Sequence, residues 1–254
     1  TVKMVGAMKD QTAWLSKDRA MMVRRTKNEV LTQLPPKRYV DVEILPHEEQ
    51  FKDYLKLRDE AIQRPGASAK PLEPMVFALR ARQIADCQFT KDWEPSPTGK
   101  SAKLDWLVEW LDSRGYMDGT LEGKVVIASQ FSKVLHWLKA ELEKHGLAPE
   151  ILDGATPQAE RIRIQNDLQE GELRIVLLSG QMGVGITLDA ADDLIMFDSP
   201  YDPDRVEQIE DRVHRASNMH HVTIWNLIAK DTIDQAIAER VSCLLYTSPS
   251  PRDS

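Results

Sequence analysis

Cysteine is scarce and long apolar runs are absent in this 254-residue chain, and both facts limit what it can be. The two cysteines, Cys87 and Cys243, have neither the spacing of a metal site nor the density of a disulfide framework, which agrees with a reducing compartment. No apolar run approaches the roughly 18 residues of a membrane span, and the first residues lack the apolar stretch of a signal peptide. We therefore expect a soluble, intracellular protein without a membrane partner.

Excess positive charge is also missing, because the formal net charge is −7 at pH 7. Binding to nucleic-acid phosphates needs a basic surface, so this balance argues against a dedicated nucleic-acid binder. One segment is an exception: residues 17–38 contain only two acidic side chains but seven basic ones, Lys17, Arg19, Arg24, Arg25, Lys27, Lys37 and Arg38. One local basic patch is therefore available.

A phosphate-binding P-loop, GxxxxGK[ST], is missing as well. Residues 98–101, TGKS, match only the end of that motif, since Glu94 stands where its first glycine is needed, two prolines intervene and no strand precedes it. We also predict no metal site, because His214, His220 and His221 have no Cys or carboxylate cluster at ligand spacing.

From residue 124 onward, short apolar strands alternate with amphipathic helices. The predicted strands are KVVIAS, EILDG, RIVLLS, DLIMFDS and VTIWNLIA. This alternation predicts an α/β fold, a doubly wound parallel sheet with ligands outside the carboxyl ends of its strands. Residues 1–115 are predicted to be mainly helical, with one short strand, YVDVEIL. Helix caps are predicted at Thr156, Asp202 and Asp231.

The segment from residue 203 to 217, PDRVEQIEDRVHRAS, sorts its side chains onto three faces when it is drawn as a helix. One face is apolar, one is acidic and one is cationic. The cationic face carries Arg205, Gln208, Arg212 and Arg215. Permanent positive charge beside a buried face suits a cleft that receives an anion, above all phosphate. The alternative is a solvated helix whose arginines pair with nearby carboxylates.

A glycine-rich turn directly follows the strand RIVLLS. Gly180, Gly183 and Gly185 leave backbone N–H groups without side-chain cover, where phosphate or ribose can approach closely. A tight strand-to-helix turn would explain these glycines equally well. Their occurrence together with the arginine segment favours a phosphate site.

Seven stretches resemble, in order, motifs of the second motor lobe of Swi/Snf-type ATPases, which are helicase-like proteins of superfamily 2. They are RRTKNEVLTQLPPK, SAKLDWLVEWL, KVVIASQF, LDGATPQAER, LLSGQMGVGITLDAADDLIMFDSPYDP, QIEDRVHRAS and TIWNLIAKDTIDQAI. The resemblance implies a RecA-like helicase C-terminal lobe over residues 116–242, with helices on both faces of the sheet. It implies a helical lobe-junction segment over residues 1–115.

The resemblance also implies roles for individual residues. The family pattern QxxxRxxR matches Gln208, Arg212 and Arg215, so Gln208 is implied to bind ATP and both arginines to act as arginine fingers on the transferred phosphoryl group. Further residues implied to bind ATP are Gly183 and Gly185, and those implied to contact double-stranded DNA are Ser179, Ser129, Gln130, Arg24, Arg25 and Lys27.

In this family ATP lies between two lobes, and the first lobe carries the P-loop and the acidic Mg²⁺ ligands. Neither motif occurs here, so we expect both upstream in the intact protein, with ATP and Mg²⁺ held mainly by that N-terminal lobe. The implied function is the C-terminal motor lobe of an ATP-dependent double-stranded DNA translocase, inactive by itself. Two alternatives stay open: a non-catalytic nucleic-acid-binding or scaffolding lobe, and the lobe of a superfamily 2 RNA helicase.

The last twelve residues, CLLYTSPSPRDS, resemble a translated sequencing adapter. We therefore predict that residues 243–254 are a non-native tail. The expected location is the cytoplasm if the source is a bacterium or phage and the nucleus if it is a eukaryote.

Overall fold

The computed structural model describes residues 36–61, 74–97, 99–120, 123–182, 185–215 and 221–247. All of these ranges belong to one compact unit. The helix predicted in the first 30 residues lies outside the described residues, and so do Arg24, Arg25, Lys27 and Gly183.

The described residues form six strands and seven helices. The strands are β1 (Arg38–Ile44), β2 (Val125–Ser129), β3 (Glu150–Leu152), β4 (Ile175–Ser179), β5 (Asp193–Met196) and β6 (Thr223–Ala229). The helices are α1 (Glu48–Ala61), α2 (Pro74–Asp86), α3 (Ala102–Ser113), α4 (Ser132–Lys144), α5 (Gln158–Glu170), α6 (Pro203–Val213) and α7 (Ile233–Thr247).

All six strands pair in parallel in one sheet, in the order β1-β6-β5-β2-β4-β3. This confirms the predicted doubly wound parallel sheet. The chain leaves the neighbouring strands β2 and β5 toward opposite sides of the sheet. From β2 it continues to β3 at one edge, and from β5 it continues to β6 on the other side. Such a switch point opens a crevice at the carboxyl ends of the two strands, which is where α/β sheets bind ligands.

Buried residues of β2 show how the sheet is covered on both faces. Val125 and Ile127 join one apolar cluster with residues of α3 and α4. Val126 and Ala128 join a second cluster with residues of α5, α6 and α7. Successive residues of a strand point to opposite faces, so a strand buried on both faces is apolar throughout. Helices on both faces of the sheet are thereby confirmed.

The edge strand β1 comes from the region that the sequence analysis assigns to the lobe-junction segment. It pairs with β6 along its whole length, from Arg38 opposite Thr223 to Ile44 opposite Ala229. Helices α1 and α2 pack together through a smaller apolar cluster. The predicted boundary between residues 115 and 116 stays a prediction, but the sheet has strands on both sides of it.

The predicted cap of α6 is confirmed. The Asp202 carboxylate accepts a hydrogen bond from the Asp204 backbone N–H at 3.1 Å, and Pro203 is the first residue of the helix. This pairing satisfies one N–H at the helix start, and proline has none to satisfy.

The other two predicted caps were wrong by one residue. Pro157 precedes α5, because Asp153 accepts hydrogen bonds from the backbone and hydroxyl of Thr156, both at 3.0 Å, and so holds Thr156 in the preceding turn. Before α7, Asp231 has a φ of 57°, whereas an N-cap needs extended backbone. The Thr232 hydroxyl accepts from the Asp234 N–H instead.

Helix α7 continues to Thr247, five residues into the predicted tail. The non-native origin of residues 243–254 stays a prediction. Among the described residues, no helix combines the length and the apolar character that crossing a bilayer requires.

Candidate nucleotide and nucleic-acid interface

Helix α6 presents its apolar face to the sheet, as predicted, and buries Val206, Ile209 and Val213. The helix ends at Val213, because His214 has an extended backbone conformation. Arg215 therefore lies just beyond the helix rather than on its surface, which corrects the helical-wheel placement. Gln208 stays on α6 and is exposed.

Arg212 and Arg215 hold the glycine-rich turn from both sides. Arg212 Nη2 donates a hydrogen bond to the carbonyl of Met182 at 2.5 Å, directly before the turn's central glycines. Arg215 Nη2 donates to the carbonyl of Ile186 at 3.3 Å, directly after Gly185. The two motifs that the sequence analysis placed together thus meet at one site.

The electrostatics of the arginine pair favour a bound anion. Arg212 is only 7% exposed. Burial and then the positive charge of Arg215 lower the pKa of the Arg212 guanidinium. Arginine nevertheless stays protonated. Two like charges that are close together and partly withdrawn from water are stabilised when negative charge approaches them.

The glycines of the turn serve different purposes. Gly185 has a φ of 116°, a conformation that side chains disfavour, and a Cβ added there would meet no atom within 4 Å. Space above Gly185 is therefore open. A Cβ at Gly180 would instead lie 1.7 Å from Gln130 Nε2, so that only glycine lets the Gln130 amide pack there.

Ser129 and Gln130 lie at the switch point and are fixed by Asp198 after β5. The Ser129 hydroxyl donates to Asp198 Oδ2 at 2.5 Å, and the Gln130 backbone N–H contacts both carboxylate oxygens, at 3.0 and 3.2 Å. Ser129 and Asp198 are fully buried, while Gln130 is 7% exposed. Ser179, at the end of β4, is 2% exposed, and its hydroxyl accepts a hydrogen bond from the Gln181 N–H.

Arg82, which sequence analysis did not identify, supports this edge through Asp198. Arg82 of α2 donates to Asp198 Oδ1 at 3.0 Å and to the carbonyl of Ser199 at 2.7 Å. Burial raises the pKa of the Asp198 carboxyl, and the Arg82 charge opposes that rise. The position of Asp198 directly after an apolar strand was a usable signal. Arg82 gave none, because it lies 116 residues away in the sequence.

Lys103 of α3 forms a second buried group beside the first. Its ammonium group donates to Asp86 at 2.8 Å, to Asp234 at 2.5 Å and to the carbonyl of Phe197 at 2.7 Å. Lys103 is 1% exposed. These contacts join α2, α3 and α7 to the end of β5.

The rejected P-loop fragment has a structural role. Ser101 caps α3 by accepting from the Leu104 N–H, and its hydroxyl donates to the carbonyl of Asp86. The described residues contain no group of three His, Cys, Asp or Glu side chains arranged as metal ligands.

The parallel sheet with helices on both faces defines a RecA-like lobe. In agreement, residues 102–217 match the family described as helicase conserved C-terminal domain. Among curated proteins, the chain is 27% identical over 233 residues to an uncharacterised ATP-dependent helicase of Mycoplasma genitalium, covering 89% of this chain and 22% of that protein. It is 27% identical over 241 residues to the human SWI/SNF-related matrix-associated actin-dependent regulator of chromatin subfamily A member 1, covering 88% and 22%.

A solved structure has the same fold. The Sulfolobus solfataricus SWI2/SNF2 ATPase core in complex with dsDNA superposes with a TM-score of 0.64 at 23% identity, covering 92% of this chain and 49% of that one. Residues 102–217 thus match the helicase conserved C-terminal domain, and the expected resemblance to the second lobe of Swi/Snf-type ATPases is confirmed. The chain spans 22% of the length of the two curated relatives.

Proposed function

We propose that this chain is the second motor lobe of an ATP-dependent double-stranded DNA translocase, and that Arg212 and Arg215 act on ATP held mainly by an N-terminal lobe of the same protein. One observation carries the proposal: both arginines flank the glycine-rich turn and lie close enough for Arg215 to lower the pKa of Arg212. Support comes from the Mycoplasma relative, an ATP-dependent helicase, and from the Sulfolobus ATPase core, which is in complex with dsDNA.

The residues present suit part of an ATP site. No described atom lies within 4 Å of a Cβ added at Gly185, the arginines supply positive charge, and Gln208 offers an exposed amide. When bound, ATP supplies the phosphoryl group that passes to water. The described residues offer no ligand cluster for Mg²⁺, so we assign the metal ligands to the N-terminal lobe.

The arginines can bind phosphate while they keep their hydrogen bonds to the turn. Each guanidinium has five N–H donors, so Arg212 and Arg215 can each keep a carbonyl of the turn and still donate to a phosphate oxygen. Positive charge fixed in advance near the transferred group stabilises the transition state more than the ground state. We assign this role to both arginines, and Gly185, together with Gly183 outside the described residues, remains a proposed ATP-binding residue.

The carboxyl edge of the sheet is our proposed DNA contact. Gln130 and Ser179 lie there with small exposed fractions. Ser129 has none, so we propose that it acts through Asp198 by orienting Gln130 rather than by touching DNA. Arg24, Arg25 and Lys27 remain proposed DNA contacts outside the described residues.

Arg215→Ala in the full-length protein tests the proposal. We expect ATP binding to stay largely intact and DNA-stimulated turnover to fall roughly a thousandfold, the magnitude associated with an arginine finger. Arg205→Ala is the matched control, because Arg205 is exposed on the neighbouring helix but lies outside the QxxxRxxR pattern. Wild-type turnover of Arg215→Ala would refute the assignment. Stronger stimulation by RNA than by DNA would favour an RNA helicase instead.

A further inference from the structure

The chain that leads into β1 is attached to the arginine-bearing helix. Lys37 Nζ donates to Glu210 Oε2 at 2.6 Å, and the Tyr39 hydroxyl donates to the same oxygen at 3.0 Å. The Arg38 N–H donates to the carbonyl of Val222, in the segment that follows the arginines. We call Lys37, Tyr39 and Glu210 the Glu210 clasp.

The clasp is shielded from water at its centre. Glu210 is 5% exposed as a residue, and the Lys37 side chain is 17% exposed. Partial burial of the Tyr39 hydroxyl, and next the Glu210 carboxylate, raise the pKa of Tyr39, so the hydroxyl keeps its proton and donates. The predicted acidic face of α6 is therefore held against the start of β1. A charge pair in such a place is weakly screened by salt.

Glu210 also defines the last turn of α6. Its backbone carbonyl accepts a hydrogen bond from the His214 N–H at 2.8 Å. Arg212 lies within this turn and Arg215 directly after it, while the Arg212 carbonyl accepts from the Leu188 N–H at 2.8 Å. The side chain of Glu210 thus faces the incoming chain, and its backbone sets the geometry from which both arginines extend.

We propose that Lys37, assisted by Tyr39, is a positioning residue for Arg212 and Arg215, and that it acts through Glu210. The proposal rests on the function proposed above. A displacement of Lys37 would be transmitted through Glu210 to the turn that carries the arginines. Turnover thereby depends on how Lys37 is held.

Lys37→Met and Glu210→Gln in the full-length protein test this inference. Since small displacements of catalytic groups cost large factors in rate, we expect kcat for ATP to fall about tenfold or more, with KM for ATP and for DNA within about twofold. The exchanged pair Lys37→Glu with Glu210→Lys restores opposite charges in the clasp. We expect it to recover much of kcat, since contacting residues are energetically coupled.

A second ion pair provides the matched control. Lys230 Nζ lies 3.2 Å from Glu43 Oε2, between β6 and β1, and both side chains are largely exposed. Lys230→Met removes a cation that pairs with a carboxylate of β1 and leaves α6 unchanged. We expect its kcat to equal that of the wild type.

The outcomes separate the inference from the proposed function. Unchanged kcat in Lys37→Met, or a loss confined to KM, overturns the inference. The inference is also overturned if the loss of kcat accompanies a lower melting temperature and the exchanged pair does not recover it. Arg215→Ala is measured alongside: if it retains wild-type turnover, the proposed function fails, whereas low turnover there with normal Lys37→Met rejects the clasp alone.

Discussion

Positive charge is buried in two regions of the molecule, and the groups that surround the charge differ between them. Lys103 lies between the carboxylates of Asp86 and Asp234, at 2.8 and 2.5 Å. Arg212 donates a hydrogen bond to the backbone carbonyl of Met182, and the nearby charge of Arg215 has the same sign. Opposite charge compensates burial in the first region, whereas like charge adds to its cost in the second.

The pKa shifts of Lys103 and Arg212 show the same contrast. Burial alone would lower the pKa of Lys103, but the Asp234 and Asp86 carboxylates raise it above its ordinary value. For Arg212, burial and Arg215 both lower the pKa. A compensated charge holds elements together, while a destabilised one is typical of a functional site. This contrast is consistent with a structural role for Lys103 and supports the function proposed for Arg212.

The largest expected effect is on turnover. Arg212→Met in the full-length protein should reduce DNA-stimulated ATP turnover about a hundredfold or more, because it removes charge that stabilises the transition state. Its free energy of unfolding should fall by less than that of a Lys103 variant, because removing Arg212 also relieves its repulsion from Arg215. Steady-state kinetics and urea unfolding measure the two. A stability loss as large as that of a Lys103 variant would remove the contrast.

The next largest effect is on stability. Lys103→Met leaves Asp86 and Asp234 buried without their cation, which should cost about 3–5 kcal/mol of unfolding free energy. Replacing the two carboxylates with leucine in the same variant should recover most of that loss, because a buried ion pair and a packed apolar group are often similar in stability. Urea unfolding of both variants is the measurement. If Lys103→Met were as stable as the wild type, Lys103 would not be a structural cation.

Asp198 tests whether one buried carboxylate serves both folding and the proposed DNA contact. Asp198→Asn leaves the Arg82 guanidinium without its carboxylate and weakens the contacts to Ser129 and Gln130. We expect a loss of about 1–3 kcal/mol of unfolding free energy. The KM for DNA should rise as well, because Gln130 loses its anchor. A stability loss with unchanged KM for DNA would confine Asp198 to folding.

Two features could be predicted from the sequence: the parallel sheet, and the proximity of the arginine segment to the glycine-rich turn. Apolar runs such as VVIA and IVLL cannot be exposed on either face, so their burial in a parallel sheet follows directly. The glycine-rich turn follows β4 and the arginine segment follows β5, and these two strands flank β2 in one parallel sheet. Periodicity could not show that α6 ends at Val213, since the extended backbone of His214 depends on its tertiary surroundings.

No sequence pattern could have predicted the long-range ionic contacts. Lys37 was counted in a basic patch and Glu210 on an acidic helix face, and their pairing joins residues 173 positions apart. Ser129 was predicted to touch DNA, yet its hydroxyl is turned to Asp198. Each contact depends on which strands become neighbours, and local pattern does not encode that order.

The smallest expected effect comes from a change at the start of α6. It tests whether the stability of this helix and ATP turnover are coupled. Asp202→Ala removes the acceptor for the Asp204 N–H and should cost about 1 kcal/mol of unfolding free energy, as helix caps do. Asp202→Asn is the matched control, because asparagine caps helices about as well as aspartate. Since Lys37 and Leu188 hold the far end of α6, kcat should be unchanged in both variants. A fall in kcat with Asp202→Ala would mean that the arginines are aligned by the whole helix and not by its last turn.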